Sequence, residues 1–215
     1  MENITTNSMP RIGDEAPDFE AVTTTGKLKF SDYNKGSWVV FFSHPADFTP
    51  VCTTEMSGFA KEKEFFAAHN TKLMGLSIDS IHSHIAWVNA VQEKTGVLFE
   101  FPLVADIDMS VSKLYGMLQP GESETAAVRA VFIIDPKGKV RLLMYYPLNV
   151  GRNMAEIKRA LIALQTSDEN KCAMPLDWQP GDKVIVPAPK TIEALAERKN
   201  SDLEMVDWYL AKRAL

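Results

Sequence analysis

The chain has 215 residues, of which 46% are hydrophobic and 24% charged, the usage of an ordinary folded protein rather than a disordered one, and its length suits one main domain with an appendage. Twenty-three basic against 28 acidic residues leave a formal charge of -5, too acidic for a protein whose chief partner is a nucleic-acid backbone. The polar Met1–Pro10 lacks the basic start and apolar run of a secretion signal, and the longest apolar stretch, Trp38–Phe42, falls far short of the roughly 20 residues that cross a bilayer. With only Cys52 and Cys172, a disulfide framework and a cysteine-based zinc site are both excluded, so a reducing cytoplasm and two free thiols are expected.

In chain order, the first strong signal is the β-prone run Trp38–Ser43, expected as a buried strand. After a turn holding Pro45 and Pro50, the positions Cys52, Met56, Phe59 and Ala60 fall at i, i+4, i+7 and i+8 and share one helix face. The run Leu73–Ile78 then completes a β-α-β unit, which makes the two strands parallel. A helix follows over Ile81–Lys94, with Ile81, Ile85 and Val88 predicted on its inner side. Ala130–Ile134 and Val140–Tyr146 flank the turn Asp135-Pro136-Lys137-Gly138 and should pair antiparallel, so the sheet is mixed. Met154, Ile157, Leu161 and Leu164 mark a further helix that closes a compact domain of residues 1–167. From 168 to 215 a proline-broken arm leads to two terminal helical patterns, the last with Leu203, Val206 and Leu210 on its apolar face.

The chemistry concentrates in Ser43-His44-Pro45-Ala46-Asp47-Phe48-Thr49-Pro50-Val51-Cys52-Thr53-Thr54-Glu55, between the first strand and the first helix. Thr49 followed by Pro50 is a helix opening, with threonine as the cap and proline at the first helical position. Cys52 then lies in the first turn, where unpaired N–H groups and the helix dipole favour an anion. For thiols in general, shifting a pKa from about 8.5 to about 6 raises the thiolate fraction near neutrality only ~30-fold, or about 2 kcal/mol. A faster reaction needs donors that stabilise charge in the transition state. Taken without its neighbours, a cysteine on an inner helix face is a small buried hydrophobe.

The neighbours change that balance. The pattern Pro45-x-x-x-Thr49-x-x-Cys52 resembles the peroxidatic loop of peroxiredoxins, and the wider run from His44 to Glu55 resembles their one-cysteine branch, the AhpC/TSA-type, peroxiredoxin-6-like group with a long C-terminal arm. The similarity extends through Gly13–Phe19, Ser77–Ser80, His84–Trp87, Arg129–Asp135 and Gly151-Arg152-Asn153. It implies a thioredoxin-like α/β fold with a mixed sheet flanked by helices. It also implies a thiol peroxidase in which Cys52 attacks hydrogen peroxide or an organic hydroperoxide, becomes a sulfenic acid, and is recycled by an external thiol such as glutathione or a thioredoxin-like protein. By the same resemblance Thr49 and Arg129 hold the peroxide, where without it they would be a helix cap and a solvated charge, and Pro45 shields the pocket. The apolar face of the arm needs cover, from a second subunit in homodimers or decamers or else from its own chain. His44 either meets the oxidised sulfur or packs the loop, Glu55 orients the site, and Arg152 either adds to the electropositive pocket or only pairs with an acidic neighbour. No cofactor, metal, membrane or nucleic acid is called for.

Other signals are weaker. His69, His82 and His84 do not have the spacing of a metal site. Cys172 precedes Met174–Trp178, where relatives of this group carry a small apolar residue, and is read as structural. The alternatives to a peroxidase are a peroxide sensor or chaperone-like oligomer switched by Cys52 oxidation, and an inactive scaffold of the same fold.

Overall fold

The computed structural model describes residues 9–215. The signal-peptide question raised by Met1–Pro10 falls chiefly on residues 1–8, outside the described residues. The chain forms two compact units that divide between Arg152 and Asn153.

The first unit is built on a seven-stranded sheet. Its strands are β1 (Glu20–Thr23), β2 (Gly26–Lys29), β3 (Trp38–Ser43), β4 (Thr71–Ser77), β5 (Leu103–Ala105), β6 (Arg129–Ile134) and β7 (Val140–Tyr146), in the order β2-β1-β5-β4-β3-β6-β7. As expected, β3 and β4 run parallel and β6–β7 is antiparallel; β6 also pairs antiparallel with β3, which joins the hairpin to the parallel unit. Every residue of β3 is buried, because helices cover both faces of the sheet. Val39 and Phe41 point into one core with Phe30, Met74, Tyr115 and Phe132. Val40 and Phe42 point the other way. There Phe42 stacks on Phe59 of helix α2 (Pro50–Lys61), with ring centroids 3.9 Å apart. The aromatic stack fixes α2 over the carboxyl end of β3, and the loop between them carries the candidate cysteine.

Five-residue α1 (Phe30–Asn34) precedes β3, α3 (Lys63–Ala68) leads into β4, and α4 (Ile81–Thr95) leaves it. A last short helix, α5 (Ser110–Leu114), follows β5. Ser80 caps α4 by accepting from the Ser83 amide, and Gly96 ends it in the left-handed conformation. The expected inner face of α4 is wrong. Ile85 is 53% exposed, whereas His84, Trp87 and Val91 are buried. The two stripes lie roughly a quarter-turn apart on a 3.6-residue helix. Apolar count favours the isoleucine stripe, but Trp87 has the larger surface to bury and His84 has a buried partner, so the helix rolls onto them.

The second unit holds α6 (Met154–Asn170), β8 (Val184–Val186), α7 (Ile192–Lys199), β9 (Glu204–Asp207) and β10 (Leu210–Arg213). Asn153 caps α6 through its side chain. The first of the two terminal helical patterns exists as α7; the second does not. Leu203, Val206 and Leu210 belong instead to a three-stranded antiparallel sheet of order β8-β10-β9 or its lead-in. Three apolar residues at helical spacing are too few to outweigh the β-prone Val206, Trp208 and Tyr209 around a tight turn. Cys172 packs with Trp178 and Val184, and its thiol lies 3.8 Å from the Thr166 carbonyl. Among the described residues, no helix is long and apolar enough to cross a membrane.

Gly75 of β4 lies beside Phe42 and Leu103, where an added Cβ would stand 2.5 Å from Leu103 Cδ2 and 3.3 Å from the Phe42 ring. Gly75→Ala is therefore expected to cost about 1–3 kcal/mol of stability through overpacking. Urea unfolding should show a lowered midpoint with an unchanged slope.

Candidate active site

Thr49 has extended backbone angles, Pro50 follows at the first helical position, and Cys52 lies within the first turn of α2, as expected. The threonine side chain does not cap. Its hydroxyl donates instead to the Ala46 carbonyl at 2.8 Å, tying the loop across its own turn. A hydroxyl has one proton, so with it committed to Ala46 the Thr49 oxygen faces any ligand as an acceptor. The helix end is tightened by Thr53, whose amide and hydroxyl both donate to the Thr49 carbonyl.

Cys52 is fully buried and is a free thiol. From β6, Arg129 reaches it: Nη1 donates to Sγ at 3.3 Å and to Glu55 Oε2 at 2.8 Å, while Nε and Nη2 donate to the Leu148 carbonyl. Glu55, one turn along α2 from Cys52, receives a second guanidinium. Arg152 donates its amide and Nε to Oε1 and its Nη2 to Oε2, and spends Nη1 on the Ser43 and Ala130 carbonyls. Its planar group also lies over Phe42 and Phe59, 5.4 and 5.5 Å from the ring centroids. Burial works to raise the Glu55 pKa, but the charge and hydrogen bonds of Arg152, with help from Arg129, win and hold it below the ordinary carboxylate range. The outcome is a fixed cation beside the sulfur, aimed by a buried carboxylate.

Pro45 and Ala46 are half-buried, and Phe48 is exposed with φ of 56°, a left-handed backbone that a phenylalanine does not choose. His44 is fully buried. Its Nε2 meets Asp47 Oδ1 at 2.9 Å, its ring lies 5.2 Å from that of Trp87, and its Nδ1 has no hydrogen-bond partner. Asp47 also meets His84 Nδ1 at 2.8 Å through Oδ2, and the other His84 nitrogen faces the Val104 carbonyl. Burial lowers the pKa of His44. For Asp47, burial pulls upward but the two histidines prevail and lower it to about 2.

His44, Asp47 and His84 are also the described residues with metal-capable atoms grouped within 4.8 Å. Their nitrogen–oxygen separations of 2.8 and 2.9 Å are those of hydrogen bonds, whereas two ligands of one tetrahedral zinc stand roughly 3.3 Å apart. They form a polar network. The structure thus brings Cys52, Thr49, Arg129, Pro45 and His44 into one loop and its supporting strand, with Glu55 and Arg152 behind. Sequence reasoning gave Asp47 no role, and beyond counting His84–Trp87 among the segments of the resemblance it weighed His84 only as a poor metal ligand. The signal available was His84-x-x-Trp87, a spacing that puts both on one side of a helix.

The Pro–Thr–Cys loop and the arginine on the thiol lie within a stretch that a family model matches. Residues 12–143 match the AhpC/TSA family, and residues 163–201 match the C-terminal domain of 1-Cys peroxiredoxin. The chain belongs to the AhpC/TSA family of peroxiredoxins. It is 53% identical to a peroxiredoxin of Methanosarcina mazei over 94% of this chain and 96% of that protein. It is 51% identical to one of Aquifex aeolicus over 96% and 97%. Among solved structures, a yeast mitochondrial 1-Cys peroxiredoxin superposes with a TM-score of 0.86 at 41% identity, over 96% of this chain and all of the other. The peroxiredoxin 6 of Arenicola marina gives 0.86 at 37% identity, over 95% and 97%. As a peroxiredoxin the protein is a thiol-dependent peroxidase, and the mixed sheet with its flanking helices is the thioredoxin-like fold expected.

The carboxylates and the histidine set the acid limit of this peroxiredoxin. His44 is kept neutral by burial, so the unfolded chain takes up a proton first as pH falls below about 6.5. Glu55 and Asp47 have lowered folded pKa values, so their contribution is complete above the ordinary 4.5 and 3.8 and fades as pH falls through the folded values, that of Asp47 lying at about 2. Unfolding free energy from urea titrations should begin to decline near pH 6.5 and fall more steeply below 4.5, and Glu55→Gln should flatten the lower part.

Proposed function

We propose that this peroxiredoxin reduces hydrogen peroxide and organic hydroperoxides by a one-cysteine cycle at Cys52, serving antioxidant defence. The observation that carries the reading is the 3.3 Å contact from Arg129 to the Cys52 sulfur, with the same guanidinium nitrogen fixed on Glu55. The Cys52 thiolate attacks the nearer peroxide oxygen. The O–O bond breaks, the sulfur becomes a sulfenic acid, and the departing oxygen leaves as water or an alcohol once protonated. Arg129 stabilises the negative charge developing on the oxygens, and Thr49 accepts from the peroxide O–H and so orients it. Pro45 keeps water from the thiolate, while His44 lines the loop behind it.

Recycling takes an external thiol. It attacks the sulfenic sulfur, water leaves, and a second thiol displaces Cys52 from the mixed disulfide. Support comes from Cys172, which sits in an apolar cluster of the second unit, and from the similar yeast protein, whose thiol is resolved via glutathione/thioredoxin systems. The C-terminal arm, residues 168–215, joins subunits into homodimers or decamers. Its exposed Val206, Trp208 and Tyr209 offer the apolar surface for it.

Cys52→Ser should abolish peroxidase turnover with the fold intact, since a hydroxyl without a base is a poor nucleophile. Arg129→Ala should slow thiol oxidation about 10²-fold in stopped-flow assays, and a rate equal to wild type would make the arginine a structural charge. After one equivalent of peroxide, intact-mass analysis should show a sulfenic acid at Cys52, and Cys172→Ala should turn over normally. A rapid Cys52–Cys172 disulfide with loss of turnover in Cys172→Ala would make Cys172 the resolving thiol. Sedimentation at micromolar concentration should find a dimer or larger, and a monomer would remove the arm's role.

A further inference from the structure

Both ring nitrogens of His84 have buried hydrogen-bond partners. A carbonyl oxygen only accepts, so the 3.1 Å contact to Val104 requires a proton on His84 Nε2. A neutral ring would then turn the bare lone pair of Nδ1 toward Asp47 Oδ2, 2.8 Å away in a site without solvent. Two buried acceptors at that distance repel, and a proton must lie between them. On the other side, His44 is neutral and donates from Nε2 to Asp47 Oδ1. One carboxylate, one doubly protonated imidazole and one neutral imidazole sum to zero charge, the arrangement that burial tolerates.

This network holds the loop from one helix at two points. His84 grips Asp47, two residues before Thr49, and Trp87, one turn further along α4, donates from Nε1 to Thr53 Oγ1, the residue after Cys52. Between the two points Phe48 keeps its left-handed backbone, which costs of order 1–3 kcal/mol and persists only where the surroundings enforce it. The Asp47 amide is held as well, donating to Asp79 Oδ2.

We infer that Asp47 and His84 are positioning residues for the Cys52 reaction, with a proton held between His84 Nδ1 and Asp47 Oδ2 as the pin that keeps the loop in its reactive shape. The kinetic part rests on the peroxidase function proposed above. Charged groups near the pin are His44 and Arg152, which acts on the same buried region, Asp79 just past β4, and Asp106, whose amide donates to Ser77 at the end of β4. The Asp79 oxygen is taken up by the Asp47 amide and the Ser77 hydroxyl, and the Asp106 carboxylate is engaged by Ser110, Val111 and Ser112. None of them offers Asp47 Oδ2 a replacement donor.

Nitrogen-15 spectra of the labelled wild-type chain at pH 7, with the His84 signals assigned by their loss in His84→Asn, test the proton directly. Both ring nitrogens of His84 should be protonated and His44 should carry one proton, on Nε2. A singly protonated His84 overturns the inference, and the proton count is read on the wild-type chain itself. Stopped-flow oxidation by hydrogen peroxide tests the positioning. His84→Ala should slow Cys52 oxidation by roughly tenfold or more, within the ~10²-fold that a 1 Å misplacement costs. His84→Asn, which keeps an uncharged donor near the Nδ1 position, should recover most of the rate. Oxidation of His84→Ala at the wild-type rate, or an equal loss in both variants, overturns the positioning role. Failure of the wild type itself to react with peroxide would sink the peroxidase function of Cys52 instead, and the spectra would still decide the proton.

Discussion

The geometry of the site hangs on one buried carboxylate. Glu55 is clasped by Arg129 and Arg152, and neither guanidinium could be kept beside the other without it. Two cations in one interior repel, and each loses its hydration; the carboxylate between them offsets both costs, so removing it would leave charge buried without a partner. Because Glu55 is one turn from Cys52 on the same helix, the clasp also sets how far the thiol stands from Arg129. Arg152 carries the constraint on to the Ser43 and Ala130 carbonyls and to the Phe42–Phe59 stack, so the charge network and the aromatic core hold the same elements.

Around that clasp the loop is held by a different kind of contact. The arginines act from the β6 side of the first unit, while α4 acts on the loop with His84 and Trp87. The loop residues between these supports are not locally content, as the backbone of Phe48 shows. Their shape is imposed by side-chain hydrogen bonds at Asp47, Thr49 and Thr53, each worth about 1 kcal/mol when neutral and more where a charge takes part.

Full burial of Cys52 has two chemical consequences. Low local polarisability makes the Arg129 contact stronger than it would be in water, which favours attack on a small peroxide. The same enclosure keeps a bulky thiol from the sulfur while the first turn of α2 stays formed. In the one-cysteine cycle proposed above, oxidation and recycling would place opposite demands on the loop.

Sequence alone determined a great deal here. The buried strand Trp38–Ser43, the parallel unit it begins and the antiparallel hairpin after it follow from short-range patterns of burial and turns, which depend on neighbours within a few residues. The helix opening at Thr49-Pro50 and the place of Cys52 in its first turn are local in the same sense. The pairing of Arg129 and Arg152 through Glu55, the roll of α4 that buries His84 and Trp87 in place of Ile85, and the union of Asp47 with two histidines were decided only by the tertiary structure. Apart from His44, which stands three residues from Asp47, each joins residues distant in the chain, and each depends on which charge finds a partner once solvent is gone, a quantity that helical periodicity does not encode. The terminal segment shows the same limit: Leu203, Val206 and Leu210 fit a helix by spacing, and pairing with β8, some twenty-five residues earlier in sequence by the register Ala211 to Val186, made it sheet.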